Sequence, residues 1–135
     1  MTTYKAIQKH SSLTAEYLAI CKHAREQEQS RSLATSDNWA HVDKAQVHQD
    51  WDSLYKELAP LVAAADQPDD AQVQSMMARH YAIAARFYVP SREAYVGLGV
   101  FYQEDPSMRE FHNAYHPQMA EFLRDAICVY ALAKL

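Results

Sequence analysis

The chain has 135 residues, enough for one domain with a hydrophobic core of its own. Two glycines are too few for the tight turns of a β-rich domain, and a hydrophobic fraction of 49% argues against disorder. The net charge of −4, with acidic and basic residues interspersed, argues against direct nucleic-acid binding, and no apolar run approaches the roughly 20 residues of a membrane span.

Cysteine usage and the N-terminal segment bear on the compartment. Cys21 and Cys128 are isolated within helical patterns, so we expect buried structural thiols rather than a disulfide framework or a zinc site. The opening segment, MTTYKAIQKH, lacks the apolar core of a signal peptide. The sequence therefore predicts a cytoplasmic location.

The first predicted helix begins amphipathic and becomes polar. An apolar stripe at helical spacing starts at Leu13 and stops near Arg25, while the helical pattern extends to about Ala34. The polar part is either a solvated helix or a mobile connection.

A second, strongly amphipathic helix follows. We expect Ser36 or Asp37 to be its N-cap and its end to lie near Ala65. Pro60 falls within this pattern. Because proline removes one backbone hydrogen bond, we expect it to kink or end the helix.

Two further helices are separated by a proline. Asp69 or Asp70 can cap the first of them, which runs to about Tyr88, where a Val-Pro pair ends it. Ser91 is the predicted N-cap of the next helix, which continues to about Glu104. Pro90 between them prevents one continuous helix and favours a helical hairpin.

The last part of the chain contains two more predicted helices. Asp105-Pro106 combines an N-cap residue with proline at the first helical position, and a short helix extends to about Ala114. Pro117 begins the final helix. No stretch alternates between apolar and polar residues over a useful length, so the predicted fold class is all-α.

The tyrosines suggest a binding wall. Tyr81, Tyr88, Tyr95 and Tyr102 recur every seven residues, which is close to two helical turns, so each pair is expected on one face of its helix. Phenol rings offer contact area and a hydroxyl for orienting a ligand. The alternative is that most of these rings are core residues with hydroxyls at the surface.

Three other features of the sequence bear on possible chemistry. Gly97 and Gly99 inside a helix indicate close approach of another backbone or a ligand, because glycine weakens a helix. His112 and His116 have the spacing of a helical metal pair, but Pro117 interrupts them and no carboxylate lies between. No nucleophile elbow or Cys-His signature is present, so we expect neither catalysis nor a metal or haem cofactor.

A family resemblance covers the segment from about Trp51 to Tyr130. The resembling motifs are, in order, WDSLYKEL, VQSMMARHYAIAARFY, AYVGLGVFYQEDPSMREF and HPQMAEFLRDAI. Their succession and spacing resemble the TipAS domain. This domain is the ligand-binding C-terminal module of MerR-type drug-responsive regulators and also occurs as free-standing antibiotic-binding proteins.

The resemblance implies a compact, globin-like helical fold with an aromatic-lined cleft and no haem. It implies binding of large heteroaromatic antibiotics such as thiopeptides or albicidin-type molecules. Thiopeptide-capturing members carry a reactive cysteine in the loop after the FY pair. Here that loop is Val89-Pro90-Ser91, so reversible binding is expected instead. The family's aromatic and histidine positions map onto Trp51, His80, Phe87, Tyr95, Tyr102 and Phe111.

The sequence thus predicts one non-catalytic, cofactor-free ligand-binding domain over residues 1–135, monomeric or homodimeric, with residues 1–36 a mobile lid or an N-terminal helix. Because no DNA-binding module precedes it in this chain, we expect drug sequestration or, for an effector domain, drug sensing. The alternative is a protein-interaction or regulatory module without a small-molecule ligand. The predicted ligand-binding residues are Trp51, Tyr55, Met76, Met77, His80, Phe87, Tyr88, Tyr95, Leu98, Tyr102, Phe111 and Tyr115.

Overall fold

The computed structural model describes residues 13–135, which form six α-helices and no strand. The predicted all-α class is confirmed for this part of the chain, and residues 1–12 of the predicted lid lie outside it. No helix within the described range has both the length and the apolar character to cross a membrane. The helices are α1 (Ala15–Thr35), α2 (Lys44–Ala63), α3 (Ala71–Ala84), α4 (Arg92–Glu104), α5 (Pro106–Asn113) and α6 (Met119–Lys134).

Short polar side chains start several of these helices, as the sequence predicted for α4 and α5. The Ser91 side chain accepts a hydrogen bond from the backbone N–H of Ala94, 3.1 Å away. Asp105 accepts from the N–H of Met108 at 3.1 Å, with Pro106 in the first helical turn. Each cap satisfies a backbone donor that has no partner within its own helix.

The start of α2 differs from the prediction. Ser36 ends α1, with its backbone N–H donating to the Ser32 carbonyl, and Asp43 rather than Ser36 or Asp37 caps α2. The residues between them turn the chain through the left-handed region, beginning with φ of 52° at Asp37. A helix N-cap needs an extended backbone, so this turn excludes Asp37 from that role. The polar stretch after Arg25 continues α1.

Three other helix ends differ from those predicted from the proline positions. Pro60 is exposed, and α2 continues past it to Ala63. The last turn of the helix therefore tolerates the one backbone hydrogen bond that proline removes. Helix α3 ends at Ala84 instead of Tyr88, so Tyr88 belongs to a loop. Helix α6 begins after Gln118 rather than at Pro117.

Helix α4 is the centre of the fold because its two glycines allow close approach on both sides. It packs against α1 and against α6. A Cβ at Gly97 would meet the backbone carbonyl of Cys21 in α1, and one at Gly99 would lie 3.2 Å from Cα of Arg124 in α6. The expected close approach is thus confirmed, and the partner at both positions is another helix. Cys21 and Cys128 are buried free thiols, as predicted.

Polar contacts reinforce the close packing of α1 against α4 and against the loop before α4. Lys22 forms an ion pair with Glu104 at 2.8 Å, and the guanidinium of Arg25 lies 4.1 Å from the centre of the Phe101 ring. Further along, the Glu28 carboxylate accepts from both the backbone N–H and the hydroxyl of Ser91. These contacts add to the apolar packing of Cys21 and extend the docking of α1 into its polar second half.

The two glycines predict a difference in stability between matched variants. In Gly97→Ala the new methyl collides with helix backbone, which cannot move cheaply, and we expect the free energy of unfolding to fall by about 2–3 kcal/mol. In Gly99→Ala a shift of a few tenths of an ångström suffices, and the gain in helix propensity of up to about 1 kcal/mol offsets it. Urea unfolding of both variants measures the difference. Equal losses would contradict the assigned packing.

Candidate ligand-binding site

An apolar cleft of about 200 Å³ opens where α1, α2, the loop after α3, and α4 meet. Its walls are mostly aromatic and aliphatic, and they include no charged side chain. The residues that line it are Gln29, Trp39, Trp51, Ala84, Phe87, Tyr88, Pro90, Leu98, Phe101, Tyr102 and Met108.

A series of aromatic rings runs from the cleft mouth to the protein interior. The rings of Trp39 and Phe87 meet edge to face with centroids 4.8 Å apart. Phe87 is stacked on Trp51 at 6.1 Å with planes 15° apart, and Trp51 is tilted on His80 at 5.4 Å. Such a series provides parallel and edge-on faces for a flat ring system.

Trp39 is fixed by the turn between α1 and α2. Its φ of 61° lies in the left-handed region, where a bulky residue costs about 1–2 kcal/mol. The strain is offset by hydrogen bonds: Nε1 donates to Ser32 Oγ at 2.8 Å, and Lys44 Nζ donates to the Trp39 carbonyl at 3.2 Å. His41 Nε2 lies 3.1 Å from the carbonyl oxygen of Phe87. The turn therefore holds Trp39 against the loop after α3.

The loop from residue 85 to residue 91 forms another wall, and it is anchored at its C-terminal end. The Tyr81 hydroxyl donates to the Pro90 carbonyl at 2.7 Å, and Ser91 is bonded to Glu28 of α1. Phe87 and Tyr88 thereby reach the cleft from a loop. The prediction that Tyr81 and Tyr88 share one helix face is wrong, because α3 has ended before Tyr88.

Beneath the cleft, His80 is the centre of a buried hydrogen-bond network. Tyr95 Oη lies 2.9 Å from His80 Nδ1, whereas the hydroxyls of Tyr55 and Tyr102 lie 3.3 Å and 3.4 Å from Nε2. The Tyr55 hydroxyl also lies 3.1 Å from Nε2 of His112. Residues of α2, α3, α4 and α5 thus meet around two imidazoles.

Both imidazoles favour the neutral form near pH 7. Burial, reinforced by the neighbouring His112, lowers the pKa of His80 to about 3, and burial also lowers the pKa of His112. His112 Nδ1 lies 2.7 Å from the Met108 carbonyl, which can only accept, so Nδ1 carries the proton. His112 Nε2 therefore accepts from Tyr55. The floor of the cleft carries no charge.

The structure separates the twelve predicted ligand-binding residues by location. Trp51, Phe87, Tyr88, Leu98 and Tyr102 line the cleft. The network beneath it contains Tyr55, His80 and Tyr95, whereas Met76 and Met77 belong to the core.

Two predicted residues on α5 and the loop after it lie elsewhere. Phe111 is 45% exposed, and the Tyr115 hydroxyl donates to Asp52 at 2.6 Å. Neither lines the cleft. His112 and His116 do not share a site, since His112 is buried in the network and His116 Nδ1 accepts from the Gln118 N–H at 3.0 Å.

Several cleft residues were absent from the predicted set. Trp39 lies in an irregular turn, where helical periodicity gives no information about direction. Gln29 comes from the polar part of α1, which shows no apolar stripe. Phe101 and Met108 are apolar residues close in sequence to the predicted tyrosines. The sequence does not distinguish them from core residues, because only the folded structure shows that they line the cleft.

The neutral His80 makes stability depend on pH. In an unfolded chain its pKa returns toward 6.5, so below that pH the unfolded state binds a proton that the folded state, with a pKa of about 3, does not. Stability therefore falls as the pH falls. From His80 alone, we expect the free energy of unfolding to be about 2 kcal/mol lower at pH 5 than at pH 7. His112 acts with the same sign. Urea titrations at the two pH values measure the difference.

A matched pair of variants tests the assignment to His80. His80→Gln should show a smaller pH difference, whereas His23→Gln, a change at an exposed residue of α1, should retain it. The ring nitrogen chemical shifts of His80 provide a readout that does not need the variant. An imidazole of His80 that titrates near pH 6.5 would contradict the buried neutral state.

Comparison with known proteins places this cleft in a family context. The model of the TipAS antibiotic-recognition domain matches residues 15–130. The HTH-type transcriptional regulator SkgA of Caulobacter vibrioides is 27% identical over 96 residues, which cover 70% of this chain and 38% of that protein. The HTH-type transcriptional activator mta of Bacillus subtilis is 30% identical over 108 residues, covering 79% of this chain and 39% of that protein.

The chain spans about two-fifths of the length of these curated relatives. No solved structure matches it significantly. The family match, in contrast, extends from the first turn of α1 into the last helix and so includes every element that lines the cleft. The chain therefore belongs to the TipAS antibiotic-recognition domain family.

Proposed function

We propose that the cleft reversibly binds a flat aromatic ring system of a larger, antibiotic-like molecule. The observation that carries this proposal is the uncharged cleft in which Trp39, Trp51 and Phe87 present a series of ring faces. Binding sites for small molecules are mostly apolar and aromatic, with few polar groups. Membership of an antibiotic-recognition family supports the same class of ligand.

The size of the cleft limits which part of the ligand it can hold. An engineered apolar cavity of about 150 Å³ accepts benzene, and pockets for whole drug-sized molecules measure about 300–1,000 Å³. At about 200 Å³, this cleft accommodates one fused ring system. An open groove of about 520 Å³ shares Tyr88 and Pro90 with it and extends along α1, and it offers space for the rest of a large ligand.

The side chains at the cleft favour binding without chemical change. Its lining contains no cysteine, serine, carboxylate or lysine that could act as nucleophile or general base. His80 lies behind Trp51, is neutral, and has both ring nitrogens within reach of tyrosine hydroxyls. Such a site suits the sequestration of a drug. It also suits drug sensing by the effector domain of a transcriptional regulator.

The alternative of a protein-interaction module lacks a comparable observation. The large hydrophobic side chains exposed among the described residues are Ile20, Val89 and Phe111. They belong to α1, the loop before α4, and α5, respectively. A docking surface for a partner helix needs such residues together on one face. The cleft is the better supported site.

A thermal-shift screen of the purified chain against thiopeptides, albicidin-type compounds and other aromatic antibiotics tests the proposal. A ligand at about 100 times its dissociation constant adds roughly 2.7 kcal/mol of stability, which is a clear shift in a domain of this size. Mass spectrometry of the recovered ligand should show it unchanged. A chemically altered ligand would indicate an enzyme, and no shift across the panel would contradict the proposal.

Two phenylalanine variants locate the binding site of any active compound. Phe87→Ala removes a ring from the cleft wall, and we expect the dissociation constant to rise about tenfold. Phe111→Ala makes the same chemical change outside the cleft, where we expect less than a twofold effect. Isothermal titration calorimetry of both variants measures the difference. An equal or larger effect at Phe111 would place the ligand elsewhere.

A further inference from the structure

The two tryptophans near the cleft differ in their hydrogen bonding. Trp39 Nε1 donates to Ser32 Oγ at 2.8 Å. Trp51 Nε1 is buried and has no partner, and within residues 13–135 no other buried side-chain nitrogen or oxygen lacks one. Buried indole N–H groups normally find an acceptor, because burying an unpaired donor costs free energy. The unpaired N–H of a residue that lines a cleft therefore indicates an acceptor that the protein itself does not supply.

The surroundings of Trp51 supply no acceptor. One face of the indole is stacked on Phe87, and the ring is tilted against His80. Both His80 nitrogens already lie within hydrogen-bond distance of tyrosine hydroxyls, Nδ1 of Tyr95 and Nε2 of Tyr55 and Tyr102. Trp51 lines the cleft, so a ligand bound there is the remaining source of an acceptor for its Nε1.

The charge state of the site restricts the kind of acceptor. No charged side chain lines the cleft, and the polar Gln29 accepts from Arg25 through its Oε1 at 2.9 Å. The His80 imidazole behind Trp51 is uncharged. The nearby cation Arg25 is not a lining residue and is engaged with Gln29 and the Phe101 ring. An anion in the cleft would therefore lose its hydration without a direct counter-charge, and a neutral acceptor is favoured.

We propose that Trp51 Nε1 is the specificity-determining hydrogen-bond donor of the cleft. It selects flat, neutral heteroaromatic rings that carry an acceptor on their edge, such as a ring nitrogen or a carbonyl oxygen. Hydrocarbon rings of the same shape leave the donor unpaired and bind less well. This inference rests on the proposed function, because it concerns the ligand of the same cleft.

Quinoline and naphthalene are suitable probes, since they have the same shape and differ in one edge acceptor. The two tryptophans give two indole N–H signals in a ¹⁵N–¹H correlation spectrum, assigned with Trp39→Phe and Trp51→Phe. At neutral pH, quinoline should move the Trp51 indole proton downfield, and naphthalene should not. The Trp39 proton is already bonded to Ser32 and serves as the internal reference.

The dissociation constants of quinoline and naphthalene provide the second readout. Trp51→Phe keeps an aromatic ring but removes the N–H, and we expect the preference for quinoline over naphthalene to fall about fivefold. Taking the ratio cancels a general loss of packing, because both probes experience it. Should Trp51→Phe fail to fold, the wild-type spectra still decide.

The outcomes separate this inference from the proposed function. If both probes perturb the backbone signals of Phe87 and Leu98 but the Trp51 proton responds alike to each, the cleft binds aromatic rings and the donor role is overturned. If neither probe perturbs those signals, the proposed function fails and the inference fails with it. A downfield shift with quinoline alone and a reduced preference in Trp51→Phe support both.

Discussion

The hydrogen bonds of His80 hold together the part of the molecule in which the cleft lies. Tyrosines of α2 and α4 approach its two nitrogens, and the Tyr55 hydroxyl extends the network to His112 of α5. In a low-dielectric interior such a network stabilises one arrangement, because any other leaves polar groups unpaired. The same bonds fix the imidazole against which the Trp51 ring packs. The position and orientation of Trp51 in the cleft wall therefore depend on them.

The outer walls depend on close packing around α4. Gly97 lets the backbone of α1 approach near Cys21, which brings the polar second half of α1 alongside the cleft. There Glu28 secures the start of α4 and Ser32 secures Trp39. One surface of the site is therefore formed by a helix whose own sequence has little apolar character and whose position is set by its neighbours.

These two constraints position the base of the cleft through the His80 network and its outer wall through α1. Trp39 is bonded to Ser32 of α1 and packs against Phe87, which is stacked on Trp51 of α2, so this wall of the cleft connects α1 to α2. Under the proposed function, a cleft that joins separate elements suits a protein in which ligand occupancy must be detected. It suits drug capture equally, since preorganised aromatic faces reduce the entropy lost on binding.

Local signals in the sequence determined the all-α class and the Ser91 and Asp105 caps, because capping and helical spacing act over a few residues. Gly97 indicated a close approach, and the structure identified the approaching element as α1. The motifs also indicated the family and placed Trp51 and Phe87 among the ligand-binding candidates, and the structure puts both in the cleft wall. Only the tertiary structure showed which of the chemically similar aromatic rings line the cleft, which belong to the core and which are exposed. Burial depends on contacts between distant segments of the chain. The direction of Trp39 and the unpaired Nε1 of Trp51 were decided at that level alone.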